Sequence, residues 1–88
     1  MPIRVAIVED DPVLRASVQR IVEREGELHW KGSYSSAEEF MARTSGLEDL
    51  DVVLMDINLP GITGIACIAE CKPKREQVQY LVSTVFED

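Results

Sequence analysis

The sequence has no apolar run approaching the roughly 20 residues that a membrane-spanning helix needs, and we expect no signal peptide before Ile3. Positive charge is scarce: 9 Lys and Arg residues stand against 16 Asp and Glu, for a formal net charge of −7. That balance argues against direct nucleic-acid binding by this segment. Because the chain has 88 residues with no repeat, low-complexity tract or linker, we expect one small domain. Without a membrane span or an expected signal peptide, we expect it in the cytoplasm.

Cysteine and histidine are scarce too, which limits metal sites built on sulfur and imidazole. The two cysteines, Cys67 and Cys71, are four residues apart in a predicted helix. That spacing puts them on one helix face but is poor geometry for a disulfide bond, and the single histidine, His29, belongs to a different element. We therefore expect two reduced, small side chains that face the core.

Apolar runs separated by turn residues predict alternating strands and helices. The predicted strands are Ile3–Val8, Leu28–Tyr34, Val52–Asp56 and 79–85. The predicted helices run from Pro12 to just before Gly26, from Ala37 to about Arg43, and from Ile65 to about Lys72, the last ended by Pro73. This order is typical of α/β proteins and predicts a parallel sheet. Right-handed crossovers would then place helices on both of its faces.

Capping residues mark the ends of these helices. Asp11 is suited to cap the first helix and Pro12 to begin it, and we expect Gly26 to close it. The serines at 35–36, with the glutamates at 38–39 behind them, are similar to a capping signature for the second helix.

Polar side chains stand where three of the predicted strands end. Glu9 and Asp10 follow the first strand, Asp56 ends the third, and Thr84 lies near the end of the fourth. In parallel α/β sheets, ligands bind at the carboxyl ends of the strands, so we expect these four side chains to converge. Carboxylates there suit a hard divalent cation. A carboxylate beside such a cation can also accept a phosphoryl group as an aspartyl phosphate.

Four sequence features at their joint spacing resemble the receiver domain of bacterial response regulators. They are IVEDDP at residues 7–12, DINLPG at residues 56–61, Gly64 and Thr84. The resemblance runs from the first predicted strand to the last residue. It implies a flavodoxin-like parallel sheet with the strand order 2-1-3-4-5.

The resemblance also implies a role for each site residue. Asp56 would be the phosphoacceptor, Asp10 would bind Mg²⁺ directly, and Glu9 would act on the metal through water. Asn58 would ligate Mg²⁺ through its backbone carbonyl. The hydroxyl of Thr84 would turn toward the phosphoryl group and report its presence.

The resemblance to the receiver family also implies partner proteins and a regulated process. Its phosphodonor is a phosphohistidine on a sensor histidine kinase, and the domain is a signalling switch rather than a turnover enzyme. Residues 81–88 resemble regulators that carry a LuxR/NarL-type helix-turn-helix. We therefore expect the output to be transcription, with DNA contacted only through an output domain outside this chain.

In the family, the pattern continues past the point where this chain stops. A family receiver has a fourth helix, a fifth strand with a phosphate-pairing lysine, and a fifth helix. The lysines of this chain, Lys31, Lys72 and Lys74, are predicted to lie elsewhere. We expect residues 1–88 to be an incomplete receiver domain, truncated after the fourth strand. Mg²⁺ binding should survive, while phosphoryl transfer should be slowed or lost.

An uncovered fourth strand and first helix would favour a homodimer or a swapped oligomer. Two other functions stay open. A haloacid-dehalogenase-like phosphatase also uses a strand-end aspartate and Mg²⁺, but it needs a carboxylate two residues further on, where this chain has Asn58. The other alternative is a receiver-like interaction module that works without phosphorylation.

Overall fold

Strands and helices alternate in the computed structural model, which describes residues 2–43, 50–74 and 76–83. The strands are β1 (Ile3–Val8), β2 (Leu28–Tyr34), β3 (Val52–Asp56) and β4 (Gln79–Ser83), and the helices are α1 (Pro12–Arg24), α2 (Ala37–Arg43) and α3 (Gly64–Cys71). A single 3-10 turn, Lys72–Lys74, follows α3. Residues 84 and 85 of the predicted fourth strand lie outside the described residues. In the described ranges, no helix has the length and apolar character needed to cross a membrane.

The four strands form one parallel sheet in the order β2-β1-β3-β4. This confirms the predicted parallel sheet, and the order agrees with the flavodoxin-like one for these four strands. β1 and β3 lie at its centre, in register from Val5 opposite Val52 to Val8 opposite Met55. Because these neighbours run in the same direction, the residues that follow them meet at one edge of the sheet.

The two faces of the sheet are covered differently. Successive strand residues point to opposite faces, and one face packs against α2 and α3. The fully or nearly fully buried residues of that core from β1, β3, α2 and α3 are Ala6, Val8, Val53, Met55, Ala37, Phe40, Cys67 and Cys71. The cysteines are therefore free and buried, as predicted.

The opposite face is covered by α1. Leu14 and Val18 of this helix, together with Ile7 of β1 and Leu54 of β3, line an apolar groove of about 230 Å³. Leu81 of β4 is in register with Leu54 and is 55% exposed. The groove between α1 and the β3–β4 pair is therefore open to solvent.

The predicted starts of α1 and α2 are confirmed. Asp11 Oδ1 accepts hydrogen bonds from the backbone N–H groups of Val13 (2.9 Å) and Leu14 (3.4 Å) at the start of α1. At α2, Ser36 Oγ accepts a bond from the Glu39 N–H at 3.0 Å, and Glu39 Oε1 accepts one from the Ser35 N–H at 2.9 Å. These reciprocal bonds satisfy N–H groups that have no partner within the helix.

The ends of α1 and α3 differ in detail from the prediction. α1 ends at Arg24 because its cap, Glu25, is already extended, and Gly26 lies in the following turn without the positive φ expected of a closing glycine. α3 runs one residue earlier than predicted at both ends. Thr63 caps its start through a 3.1 Å bond to the Ala66 N–H. Pro73 has no N–H to continue the helical bonding, and it falls in the 3-10 turn.

Arg4 and Asp51 form an ion pair at the amino-terminal ends of β1 and β3. Asp51 Oδ2 lies 2.9 Å from Arg4 Nε, and Oδ1 lies 3.0 Å from Nη2. Oδ2 also accepts the backbone N–H of Arg4 at 2.8 Å. These bonds, chiefly those from the guanidinium, hold the pKa of Asp51 at about 2.

Candidate functional site

Three carboxylates meet where β1 and β3 end. Glu9, Asp10 and Asp56 each contribute an oxygen, and these oxygens all lie within 4.8 Å of one another. Glu9 and Asp56 are only 5% and 6% exposed, whereas Asp10 is exposed. They line an open cavity of about 520 Å³, and the other residues lining it are Asp11, Pro12, Leu14 and Asn58. The structure thus brings together these three carboxylates and places Asn58 beside them.

The turn between β1 and α1 is fixed by bonds to Glu9. Its backbone N–H donates to the carbonyl of Tyr34 (3.0 Å) and extends the pairing of β1 with β2. Its carboxylate Oε2 accepts the backbone N–H of Asp11 at 3.1 Å. Its carbonyl oxygen accepts a bond from Arg15 Nη1 at 2.8 Å. The turn that carries two of the three carboxylates is therefore held at its backbone as well as its side chains.

The loop between β3 and α3 lies close against Asp56. Asp56 Oδ1 accepts the backbone N–H of Asn58 at 2.9 Å, which orients the carboxylate. Gly64 begins α3 in contact with the Asp56 backbone, because a Cβ at position 64 would overlap the Asp56 carbonyl oxygen. The loop is therefore tied to Asp56 at its first residues and again at its end.

A contact from α2 reaches the same loop. Glu38 Oε2 accepts the backbone N–H of Ile62 at 3.4 Å. Gly61 has a φ of +74°, and a Cβ there would lie 2.5 Å from Glu38 Oε2. Neither Glu38 nor Arg15 is predicted from the sequence as part of the site, because a long side chain that bonds a backbone group leaves no spacing signal.

The electrostatics of the cluster oppose full ionisation. Burial raises the pKa of Glu9 to about 7. A hydrogen bond with the Asp10 carboxyl and the charge of Asp56 act in the same direction, while the Asp11 N–H favours the ionised form. Three acidic groups this close would be stabilised by a bound cation. Oxygen donors on one side of an open cavity fit Mg²⁺, which keeps several waters and needs few protein ligands.

Thr84 lies outside the described residues, so its place at the site stays a prediction. The preceding residue, Ser83, pairs with Asp56 across β3 and β4. The Ser83 carbonyl also accepts the backbone N–H of Ile57 at 3.1 Å. The end of β4 therefore lies beside the end of β3.

The chain matches the family model of the response regulator receiver domain over residues 5–88, and it belongs to that family. It is 30% identical over 86 residues to the response regulator GacA of Pseudomonas viridiflava, a match covering 98% of this chain and 40% of that protein. It is 25% identical over 84 residues to the nitrate/nitrite response regulator protein NarL of Escherichia coli K12, covering 96% and 38%. The chain thus spans about 40% of the length of these curated relatives.

Solved structures show the same fold. The CheY-like response regulator receiver domain protein from Methanospirillum hungatei superimposes with a TM-score of 0.85 at 25% identity. That match covers 100% of this chain and 68% of the other. Membership in the receiver family also sets aside the haloacid-dehalogenase-like alternative.

Proposed function

We propose that this chain is the phosphoacceptor part of a two-component response regulator. In this proposal Asp56 accepts a phosphoryl group, with Mg²⁺ bound, from a sensor histidine kinase. The observation that supports it most directly is the grouping of Glu9, Asp10 and Asp56 oxygens within 4.8 Å at the ends of two adjacent parallel strands. The family match supports the same conclusion.

Mg²⁺ would be held directly by the carboxylates of Asp10 and Asp56 and by the backbone carbonyl of Asn58, and by the carboxylate of Glu9 through water. When bound, the cation neutralises charge, so that an anionic donor can approach an anionic carboxylate. The chain supplies the positions: Glu9 and Asp10 come from the turn after β1, and Asp56 and Asn58 from the end of β3 and its loop. The nearly complete burial of Glu9 and Asp56 keeps water away from one side of the site.

Asp56 would act as the nucleophile. Its Oδ1 accepts the Asn58 N–H, which limits rotation of the carboxylate before reaction. An Asp56 oxygen attacks the phosphorus of a phosphohistidine, the new O–P bond forms as the P–N bond breaks, and the imidazole nitrogen keeps the bonding electron pair. The phosphoryl group, which carries a charge of about −1.5 to −2 in place of the single charge of the carboxylate, would then be sensed by the Thr84 hydroxyl, as the family resemblance implies. The output would be transcription, through a DNA-binding domain outside this chain.

The test is covalent labelling of the purified chain by acetyl phosphate with Mg²⁺, followed by intact-protein mass spectrometry. The wild type should gain one phosphoryl group slowly, because transfer is expected to be slowed in a chain without the phosphate-pairing lysine of the family, and Asp56→Asn should gain none. Asp51→Asn is the matched control, because it makes the same substitution at the other end of the same strand region. It should label like the wild type. Label retained by Asp56→Asn would contradict the assignment of Asp56.

A phosphorylation-independent interaction module is a second candidate, favoured by one observation. In the described part of the chain, no lysine or arginine lines the acidic cavity. Lys72 instead donates to the Val78 and Glu76 carbonyls at 2.6 and 3.1 Å, and Lys74 lies 3.7 Å from Glu70. If the wild type binds Mg²⁺ but takes no label from acetyl phosphate, this second function is the better one.

A further inference from the structure

We propose that Arg15 is a positioning residue for the Mg²⁺ site: by holding the backbone carbonyl of Glu9, it fixes the turn that presents the Glu9 and Asp10 carboxylates. The inference rests on the proposed function, since it concerns the same site. It assigns to α1 a role in metal affinity, although the Arg15 side chain does not line the cavity.

The contact itself is short and partly buried. Arg15 Nη1 donates to the Glu9 carbonyl oxygen at 2.8 Å, across a separation of six residues. The backbone N–H of Arg15 also donates to the Asp11 carbonyl at 3.0 Å, within the first turn of α1. One residue therefore ties both ends of the turn 9–11, through its side chain at one end and its backbone at the other. A bond from a guanidinium is stronger than one between neutral groups.

The turn needs this support because of the charges that it carries. Two of the three clustered carboxylates belong to Glu9 and Asp10, and mutual repulsion with Asp56 acts to separate them when no cation is bound. The Glu9 N–H is fixed to the Tyr34 carbonyl, so β1 holds the start of the peptide. The Glu9 carbonyl belongs to the next peptide unit, which leads to Asp10. Holding that carbonyl fixes the direction in which the exposed Asp10 side chain leaves the turn.

Arg15 acts by holding the turn 9–11 in place. Its effect on Mg²⁺ binding is therefore distinct from the effect that its positive charge alone would have. The residues of α1 that line the cavity are Pro12 and Leu14, and Arg15 is not among them. Loss of Arg15 should therefore weaken Mg²⁺ binding much more than loss of an equal charge further along α1. Arg20 is exposed on the same helix and provides that comparison.

The experiment measures the Mg²⁺ dissociation constant by amide NMR titration at Asp10, Asp11 and Asn58, and the melting temperature of each variant by circular dichroism. Arg15→Gln should weaken Mg²⁺ binding by about 10- to 100-fold, the range found when residues supporting metal ligands are removed. Arg20→Gln should change the constant by less than about threefold, because an exposed charge at that distance is screened.

A second control variant tests whether a loss of stability alone, away from the Mg²⁺ site, weakens Mg²⁺ binding. Arg4→Gln removes the ion pair with Asp51 at the opposite end of the sheet, so it should lower the melting temperature without moving the Mg²⁺ constant. If Arg15→Gln behaves like Arg4→Gln, Arg15 is only structural and the inference is overturned. If Arg15→Gln does not fold, Arg15→Met decides, because it keeps a long side chain but has no hydrogen-bond donor. Weaker Mg²⁺ binding at an unchanged melting temperature supports the inference, and an unchanged constant overturns it.

The same titration separates this inference from the proposed function. Wild-type binding that is lost in Asp56→Asn but kept in Arg15→Gln leaves the metal site standing and overturns only the role of Arg15. A wild type that binds no Mg²⁺ overturns both.

Discussion

Gly64 allows the first turn of α3 to approach the backbone of Asp56. A Cβ at this position would overlap the Asp56 carbonyl oxygen and lie 3.0 Å from Met55 Cγ. Backbone atoms of a central strand cannot move aside as the end of a flexible side chain can. The requirement here is for space, since Gly64 does not have a positive φ.

Gly64→Ala should therefore destabilise the protein by about 1–3 kcal/mol, the usual cost of overpacking. For a domain of this size, that lowers the melting temperature by several degrees or more. Gly26→Ala is the control, because a Cβ there meets no atom within 4 Å and the φ is not positive. It should be neutral or stabilising by about 0.4–1 kcal/mol. Equal melting temperatures for the two variants would contradict the close approach of α3.

Asp10 adds an exposed charge to the buried pair Glu9 and Asp56, so the metal-free site should be electrostatically strained. Asp10→Asn should raise the melting temperature of the metal-free protein at pH 8 by several degrees, because unit charges about 4 Å apart repel by about 1 kcal/mol even in water. Added Mg²⁺ should then stabilise the wild type more than the variant. Glu27→Gln removes the same charge from an exposed turn and should change little. A lower metal-free melting temperature for Asp10→Asn would contradict this.

Among single residues, the sequence predicts the acidic residues of the site better than the residues whose hydrogen bonds hold the surrounding loops. Glu9, Asp10 and Asp56 are predictable because each ends or directly follows an apolar strand. The bond from Glu38 to the Ile62 N–H joins residues 24 apart in the chain. Such a bond depends on how α2 packs beside the loop, and no local pattern encodes that packing.

The two ends of the central strands carry different chemistry. At the carboxyl ends lie the clustered acids, and at the amino ends the Arg4–Asp51 pair joins β1 to β3 with parallel hydrogen bonds. The ion pair is about 40% exposed, so solvent screens it. Its geometry nevertheless fixes the register at which the two strands begin.

The Arg4–Asp51 ion pair makes the stability of the protein depend on pH in the acid range. The pKa of Asp51 is lowered from 3.8 to about 2 in the folded protein, so its contribution is fully present above about pH 4. It is lost as the pH falls from about 4 toward 2, because the unfolded chain takes up the proton first. The difference in melting temperature between wild type and Asp51→Asn should therefore shrink over that range. A difference that stays constant from pH 7 to pH 2 would contradict the ion pair.

Helix starts are predictable from the sequence and helix ends less so. Asp11 and Ser36 offer side-chain oxygens within reach of their own helix, and both cap it. Gly26 can close a helix but need not, and here Glu25 leaves the helical conformation first. The chain then turns at once, with the Leu28 N–H bonded to the Glu25 carbonyl, and this turn leads into β2.

The whole molecule has two unlike sheet edges in its described part. β2 carries Lys31 and His29 and shifts register against β1, which are devices that discourage edge-to-edge pairing. β4 has no charged residue, and its Leu81 and Val82 are 55% and 47% exposed. The two edge strands, β2 and β4, therefore differ in their tendency to pair with a strand of another molecule.

We expect concentration-dependent self-association through β4, and Leu81→Lys should suppress it by placing a charge on the edge. Ile65→Lys is the matched control, because Ile65 is 59% exposed but lies on α3, away from the strand edge. Size-exclusion chromatography with light scattering over a range of concentrations measures the effect. A wild type that stays monomeric at all concentrations, with a cooperative melt, would show the prediction to be wrong.

The buried cysteines can report how often α3 separates from the sheet. Cys67 is fully buried and Cys71 is 5% exposed, and burial raises the pKa of Cys67 to about 12. An alkylating reagent can therefore reach the thiolate only when α3 separates from the sheet. In the fast-exchange limit the labelling rate reports the free energy of that opening. A ligand that binds only the closed protein slows labelling by the factor 1 + [L]/Kd. The two sulfur atoms, which take no part in the proposed chemistry, can thus report occupancy of the acidic site without any attached probe.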